Sequence, residues 1–295
     1  MTSATFHSAL TLLLLRDVRR GAAYFRDQLA MRVCWIAGEE PHLYGIVDYA
    51  EGEGFHIAYS GEKEGRKNRR AQTTRKIANA SSLAGDPNSA QLEDPSGLDA
   101  YIRIDDADRW HAALKRRGAK ILYSPIARPW NMKEFEVEDP NGFVFCYAAD
   151  TTGAWEKGAI QTSPQLTVSD VERTAAFYRE VLAFPKVALF GSPPHYGIAT
   201  RDGVTIHFAR AGSPEEVRAN RAAADYCDAV IEISGFAELV RELGDRKVEL
   251  ARAPTTTEYG MRELEIADPD GYALLFSEPT EGWGDRSNAG RASVV

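Results

Sequence analysis

Three cysteines in 295 residues are too few, too scattered and odd in number for a disulfide framework. Cys34, Cys146 and Cys227 stand alone, so a reducing compartment, the cytoplasm, is expected. With no CxxC and no dense Cys/His cluster, a structural zinc site is not expected either. Long apolar runs are also missing. Among the longest, Ala9 to Leu15 is seven residues including Thr11, against the ~20 that a spanning helix needs. No Lys or Arg precedes it and Arg16-Asp17 follows at once, so it does not read as a signal-peptide core. It reads as a buried strand. A basic excess is missing too: Lys and Arg number 35 against 43 Asp and Glu, for a net charge of −8. Such a chain repels phosphate backbones, which speaks against general nucleic-acid binding. No Gly-rich phosphate loop and no Ser-His-Asp or Cys-His spacing is present. What remains is 44% apolar and 26% charged residues, an ordinary globular composition with the length of about two domains.

The chain repeats itself. Asp17-Val18 with Tyr24-Phe25-Arg26 returns as Asp170-Val171 with Phe177-Tyr178-Arg179. Tyr44-Gly45-Ile46 returns as Tyr196-Gly197-Ile198, and His56-Ile57-Ala58 as His207-Phe208-Ala209. Arg66-Lys67-Asn68-Arg69 returns as Arg218-Ala219-Asn220-Arg221. Asp99-Ala100-Tyr101-Ile102 answers Asp228-Ala229-Val230-Ile231. Met132-Lys133-Glu134-Phe135 and Asp139-Pro140-Asn141-Gly142 answer Met261-Arg262-Glu263-Leu264 and Asp268-Pro269-Asp270-Gly271. The order is conserved throughout. The expected domains are 7–149 and 162–279, with a linker at 150–161 and a polar tail at 280–295. One insertion separates the halves: 27 residues lie between Ala71 and Asp99, four between Ala223 and Asp228. The added segment, about 72–93, has two readings, a solvated flap or a lid over a ligand.

Local signals place the elements. Asp17 and Asp170 are natural N-caps, and helices are expected from them to about Ala30 and Ala183. Further helices are expected at 107–116, ended by Gly118, and at 236–243, ended by Gly244. Phe135 and Val137, like Leu264 and Ile266, alternate with Glu as in half-buried strands. Asp-Pro-Asn-Gly and Asp-Pro-Asp-Gly are turns, with Pro presetting one corner and Gly supplying the other. Each half is therefore a β-α-β-β-β module twice over, an α+β chain.

These motifs in this order resemble the vicinal oxygen chelate superfamily of glyoxalases, bleomycin-resistance proteins and extradiol dioxygenases. The resemblance covers both halves. It implies paired βαβββ modules whose curled sheets enclose cup-shaped cavities, the two halves forming an intrachain pseudo-dimer. It also implies where a divalent metal would be held. Those positions fall here on Leu10 and Ser163, Gly54 and Thr205, Asp99 and Asp228, and Cys146 and Leu275. Each half keeps at most one hard oxygen donor, whereas a divalent ion needs three or four. The family metal site is therefore expected to be absent, with a divalent metal on other ligands as the alternative. In this the chain is similar to the bleomycin-resistance branch, which implies antibiotic resistance by sequestration.

The sharpest candidates are His56 and His207. Strand alternation turns both away from their large apolar neighbours and into the cups, where they serve as acid/base groups or ligand donors, or else as structural hydrogen-bonding groups. Trp35, Tyr44, Trp130, Tyr196 and Tyr259 are candidate aromatic walls for a flat ligand. Glu134 and Glu263 either meet a cationic ligand group or pair with Arg or Lys across the sheet. Arg66, Arg69, Arg218 and Arg221, with Asn68 and Asn220, either order the loop over the cup or bind an anion. The expected function is metal-free binding of an aromatic or hydrophobic small molecule, by a monomer or homodimer with no membrane or nucleic-acid partner. The alternative is an enzyme of the same superfamily, a glyoxalase-, dioxygenase- or isomerase-like lyase with non-standard metal ligands or a metal-free His acid/base.

Overall fold

A computed structural model describes residues 3–49, 53–60, 97–217, 219–220 and 225–281. The insertion at 72–93, Arg66, Asn68, Arg69, Arg218, Arg221 and the tail beyond 281 lie outside the described residues.

Four modules follow one another. The first is β1 (Thr5–Leu15), α1 (Val18–Asp27), β2 (Arg32–Glu39), β3 (His42–Asp48) and β4 (Gly54–Tyr59). The second is β5 (Ala100–Ile104), α2 (Ala107–Arg116), the short β6 (Lys120–Ile121) and β7 (Ile126–Ala127), β8 (Met132–Glu138) and β9 (Val144–Asp150). The third is β10 (Gln161–Val168), α3 (Val171–Ala176), β11 (Lys186–Gly191), β12 (Pro194–Arg201) and β13 (Val204–Arg210). The fourth is β14 (Ala229–Ser234), α4 (Phe236–Asp245), β15 (Arg252–Thr256), β16 (Met261–Ala267) and β17 (Ala273–Pro279).

The modules pair across the halves. One sheet runs β15-β16-β17-β14-β1-β4-β3-β2, joining the first module to the fourth. The other runs β11-β12-β13-β10-β5-β9-β8-β6, joining the third to the second. The seams are antiparallel, Leu10 facing Val230 and Ser163 facing Tyr101. The helix-side cores instead form largely within each half. Phe25, Phe55, Phe135, Phe145 and Tyr147 centre one; Tyr178, Phe208, Leu264 and Phe276 centre the other, joined by Phe6 from β1. This explains the apolar run at the chain's start. β1 is buried on both faces: Leu13 and Leu15 join a helix-side core, while Leu12 and Leu14 join a cluster on the opposite face. A strand covered on both sides loses the polar alternation of a half-buried one.

Asp17 and Asp170 cap their helices through bonds to the Arg20 and Arg173 amides, each worth about 1 kcal/mol. Both helices stop short of the expected ends. Ala30 and Ala183 already have positive φ, 62° and 54°, and the second helix widens into a π-helical turn at Phe177–Val181. Gly244 does not end α4, which continues to Asp245, and Lys247 takes the positive φ instead. Gly118 does take it, after α2. Among the described residues no helix is long and apolar enough to cross a membrane, and none of the three cysteines is in a disulfide.

Candidate functional site

Each sheet turns one face to its helices and the other to a cup. In the second cup, built from the third and second modules, alternation decides the lining. Ile102 and Ile104 of β5, Phe135 and Val137 of β8, and Ile206 and Phe208 of β13 are buried on the helix side. Their neighbours Tyr101, Arg103, Glu134, Glu136, Thr205 and His207 face a cavity of about 480 Å³. Tyr123, Trp130, Phe190 and Tyr196 complete an aromatic wall. Trp130 and Phe190 are large apolar side chains left exposed at its rim.

A polar network fixes the floor. The His207 ring stacks on the Tyr101 ring with centroids 4.7 Å apart. Its Nδ1 lies 2.5 Å from the Tyr196 hydroxyl. Burial, and then the charge of Arg103, push the His207 pKa down to about 3, while burial raises that of Tyr196 well above its ordinary value. Both groups are thus neutral at pH 7. The phenol keeps its proton and shares a hydrogen bond with Nδ1, and its oxygen also lies 3.5 Å from Gln165 Oε1, so the tautomer of the imidazole follows from which of the two the phenol donates to. Nε2 makes no hydrogen bond among the described residues, and His207 lines the cavity. Beside it, Glu134 accepts from the Tyr101 hydroxyl at 2.8 Å, from Trp130 Nε1 at 2.8 Å and from Arg128 Nε at 3.2 Å. Its charge is met within the protein.

The first cup carries a related frame with other contents. The Tyr44 hydroxyl bonds His56 Nδ1, and desolvation lowers the His56 pKa to about 4. His56 Nε2 is buried without a partner. Tyr259 donates to Glu263 at 2.8 Å, and Arg252 lies 3.9 Å from the same carboxylate. Trp35 packs on Tyr44 at 5.8 Å. Tyr226 stacks on the same ring at 6.4 Å, beside an apolar cluster of Leu12, Leu14, Ala58, Cys227, Val230 and Ala273. Asn220 ties down the segment before β14. Its side chain donates to the carbonyls of Leu12 and Cys227, and its amide to Asp228.

The sequence candidates are therefore divided between two sites. His207, Tyr196, Trp130 and Glu134 meet in the second cup; His56, Tyr44, Trp35, Tyr259 and Glu263 lie in the first. Sequence reasoning missed Tyr101, Arg103, Tyr123, Arg128 and Phe190. For the first two a signal existed: in Ala100–Ile104 the apolar residues alternate with Tyr and Arg, and Tyr101 stands where the repeat has Val230.

The comparisons agree with this architecture. The profile of the glyoxalase/bleomycin resistance protein/dioxygenase superfamily matches residues 8–147 and again 160–276. The chain belongs to this superfamily. Glyoxalase I from Zea mays has a similar structure, with a TM-score of 0.63 and 14% identity over 99% of this chain and 98% of that one. A Bacillus subtilis protein provisionally described as a dioxygenase gives a TM-score of 0.64 and 9% identity over 100% and 92%. At these identities the likeness is one of fold. No curated protein sequence matches the chain.

Membership raises the question of the superfamily's metal. Asp99 Oδ2 and Asp228 Oδ2 accept from the amides of Val144 and Ala273, pinning the strand edges. Cys146 lines the second cup, and Leu275 packs in the first. Glu134 already accepts three hydrogen bonds. Among the described residues no group of three or more His, Cys, Asp or Glu side chains converges. This donor set does not fit a divalent ion, and no step is derived through one.

Proposed function

We propose that the second cup binds a planar aromatic small molecule without a metal, as a sequestering protein of this superfamily. The observation that supports this reading is the aromatic-walled cavity of about 480 Å³ with His207 at its floor, a size typical of small-molecule sites. Trp130, Tyr123, Phe190 and Tyr196 offer ring faces. Burying about 200 Å² of ligand surface at about 25 cal/mol per Å² gives about 5 kcal/mol before the costs of association. The Nε2 atom of His207 then orients the ligand through one hydrogen bond.

The enzyme reading makes His207 an acid/base. Its depressed pKa disfavours this, because an efficient general base titrates near the working pH. A neutral imidazole that forms one hydrogen bond to its ligand is what a binding site uses. The protein is read as a cytoplasmic monomer or homodimer that has a small molecule as its partner. The experiment is fluorescence titration of chelator-treated protein with 2-naphthol. Trp130 quenching with saturable binding is the expected outcome, weakened by His207→Ala. Turnover of a substrate, abolished by His207→Ala with its affinity retained, would replace sequestration with catalysis.

A further inference from the structure

Among the charged groups lining the second cup, Arg103 differs from its neighbour. Arg128 is paired with Glu134 at 3.2 Å. Arg103 has no carboxylate and no hydrogen-bond partner among the described residues. Its guanidinium carbon lies over the ring of Trp155, 3.9 Å from the centroid. The carboxylate nearest in sequence is Asp105, which accepts from Arg109, the Trp110 indole and the Gly158 amide. A cation–π contact of this kind uses none of the guanidinium N–H donors, which remain for a planar anion that accepts two parallel hydrogen bonds. Arg103 lines the same cavity as His207, Gln161, Thr200 and Thr205, and as Arg128, Glu134 and Glu136. The other cup supplies the contrast. The position matching Arg103 is Glu232, held by the Ser8 hydroxyl at 2.9 Å, so the charge is reversed where the frame is the same.

We infer that the ligand of the second cup is an aromatic carboxylic acid, its ring held by the Trp130–Tyr196 wall and its carboxylate paired with Arg103. The inference rests on the binding reading above and narrows it to one chemical class. With an uncharged aromatic, the half-buried Arg103 keeps no carboxylate at ion-pair distance among the described residues, and a carboxylate ligand supplies one.

The test is calorimetry with two probes of one shape, 2-naphthoate and naphthalene-2-carboxamide. The wild-type protein should bind the carboxylate at least tenfold more tightly. Arg103→Gln should bring the two affinities within about twofold by weakening only the carboxylate. Arg103→Lys, which keeps the charge but not the planar fork, should fall between. Equal wild-type affinities, or preference surviving in Arg103→Gln, would overturn the inference and leave aromatic binding standing. Binding of neither probe would overturn both. The wild-type comparison needs no variant to fold.

Discussion

The two cups share a frame and differ in what fills it. Both have a Tyr–His hydrogen bond, Tyr196 with His207 and Tyr44 with His56. Both have an indole or phenol donating to a buried Glu, Trp130 to Glu134 and Tyr259 to Glu263. Cys146 in one is Leu275 in the other and Thr205 is Gly54, and further changes lie on the strand that opens the second and fourth modules and on the segment before it. Tyr101 and Arg103 in one are Val230 and Glu232 in the other. Gly97 in one is Tyr226 in the other, and that ring stacks on Tyr44. The repeated strands therefore preserve the scaffold, while substituted positions such as these give each cup its own lining. Function on such a fold is set by the site rather than the topology.

Trp130 and Tyr259 allow the largest test of that contrast. Trp130→Ala should weaken an aromatic probe by about 2–3 kcal/mol, roughly 30- to 160-fold, as loss of an aromatic anchor does. Tyr259→Ala should leave calorimetric affinity unchanged. Equal losses would mean that both cups bind.

The Asp-Pro-x-Gly turns offer a second comparison. Asp139 Oδ2 accepts from the Asn141 side chain, whereas Asp268 has Asp270 in that place and its Oδ2 is buried without a partner. Desolvation raises both, Asp139 to about 6 and Asp268 to about 7. A carboxyl held neutral by the fold favours the native state below its unfolded pKa and loses that contribution as pH rises through the folded one. Stability should thus fall between pH 3.8 and about 7 on account of Asp268. Asp268→Asn keeps an oxygen for the Asp270 and Tyr272 amides and should flatten the fall in urea midpoints. Asp270→Asn should reduce it by about 1.4 kcal/mol, the worth of about one pKa unit. An unchanged pH profile in both variants would remove the carboxyl from the account.

The smallest effect is expected at the ring that stacks on Tyr44 in the first cup. Tyr226→Gly should lower stability by about 1 kcal/mol, since the side chain is only partly buried. Binding of 2-naphthoate should be unaffected. A loss of several-fold in its affinity would place the probe in the wrong cup.

Much of the fold was legible because the signals were local. The Asp caps, the Asp-Pro-x-Gly turns and the period-two strands need no distant partner to be read. The seam was not: β1 lies beside β14 and β10 beside β5, and nothing in Ala9–Leu15 names its neighbour. The ends of α1 and α3 were misplaced because Ala30 and Ala183 carry a positive φ usually given to Gly. At Gly244 the reverse held, and tertiary packing kept the helix going. His207 and Tyr196 were found because the repeat preserved them. Arg103 was missed because the repeat did not, and a search for matched residues passes over the positions where the cups diverge. The loop cations Arg66, Arg69, Arg218 and Arg221 lie outside the described residues.

The most direct measurement is calorimetric titration of chelator-treated protein with 2-naphthoate, with elemental mass spectrometry on the same sample. The account predicts one equivalent bound per chain in protein without stoichiometric metal. Binding that appears only after a divalent ion is restored would contradict it.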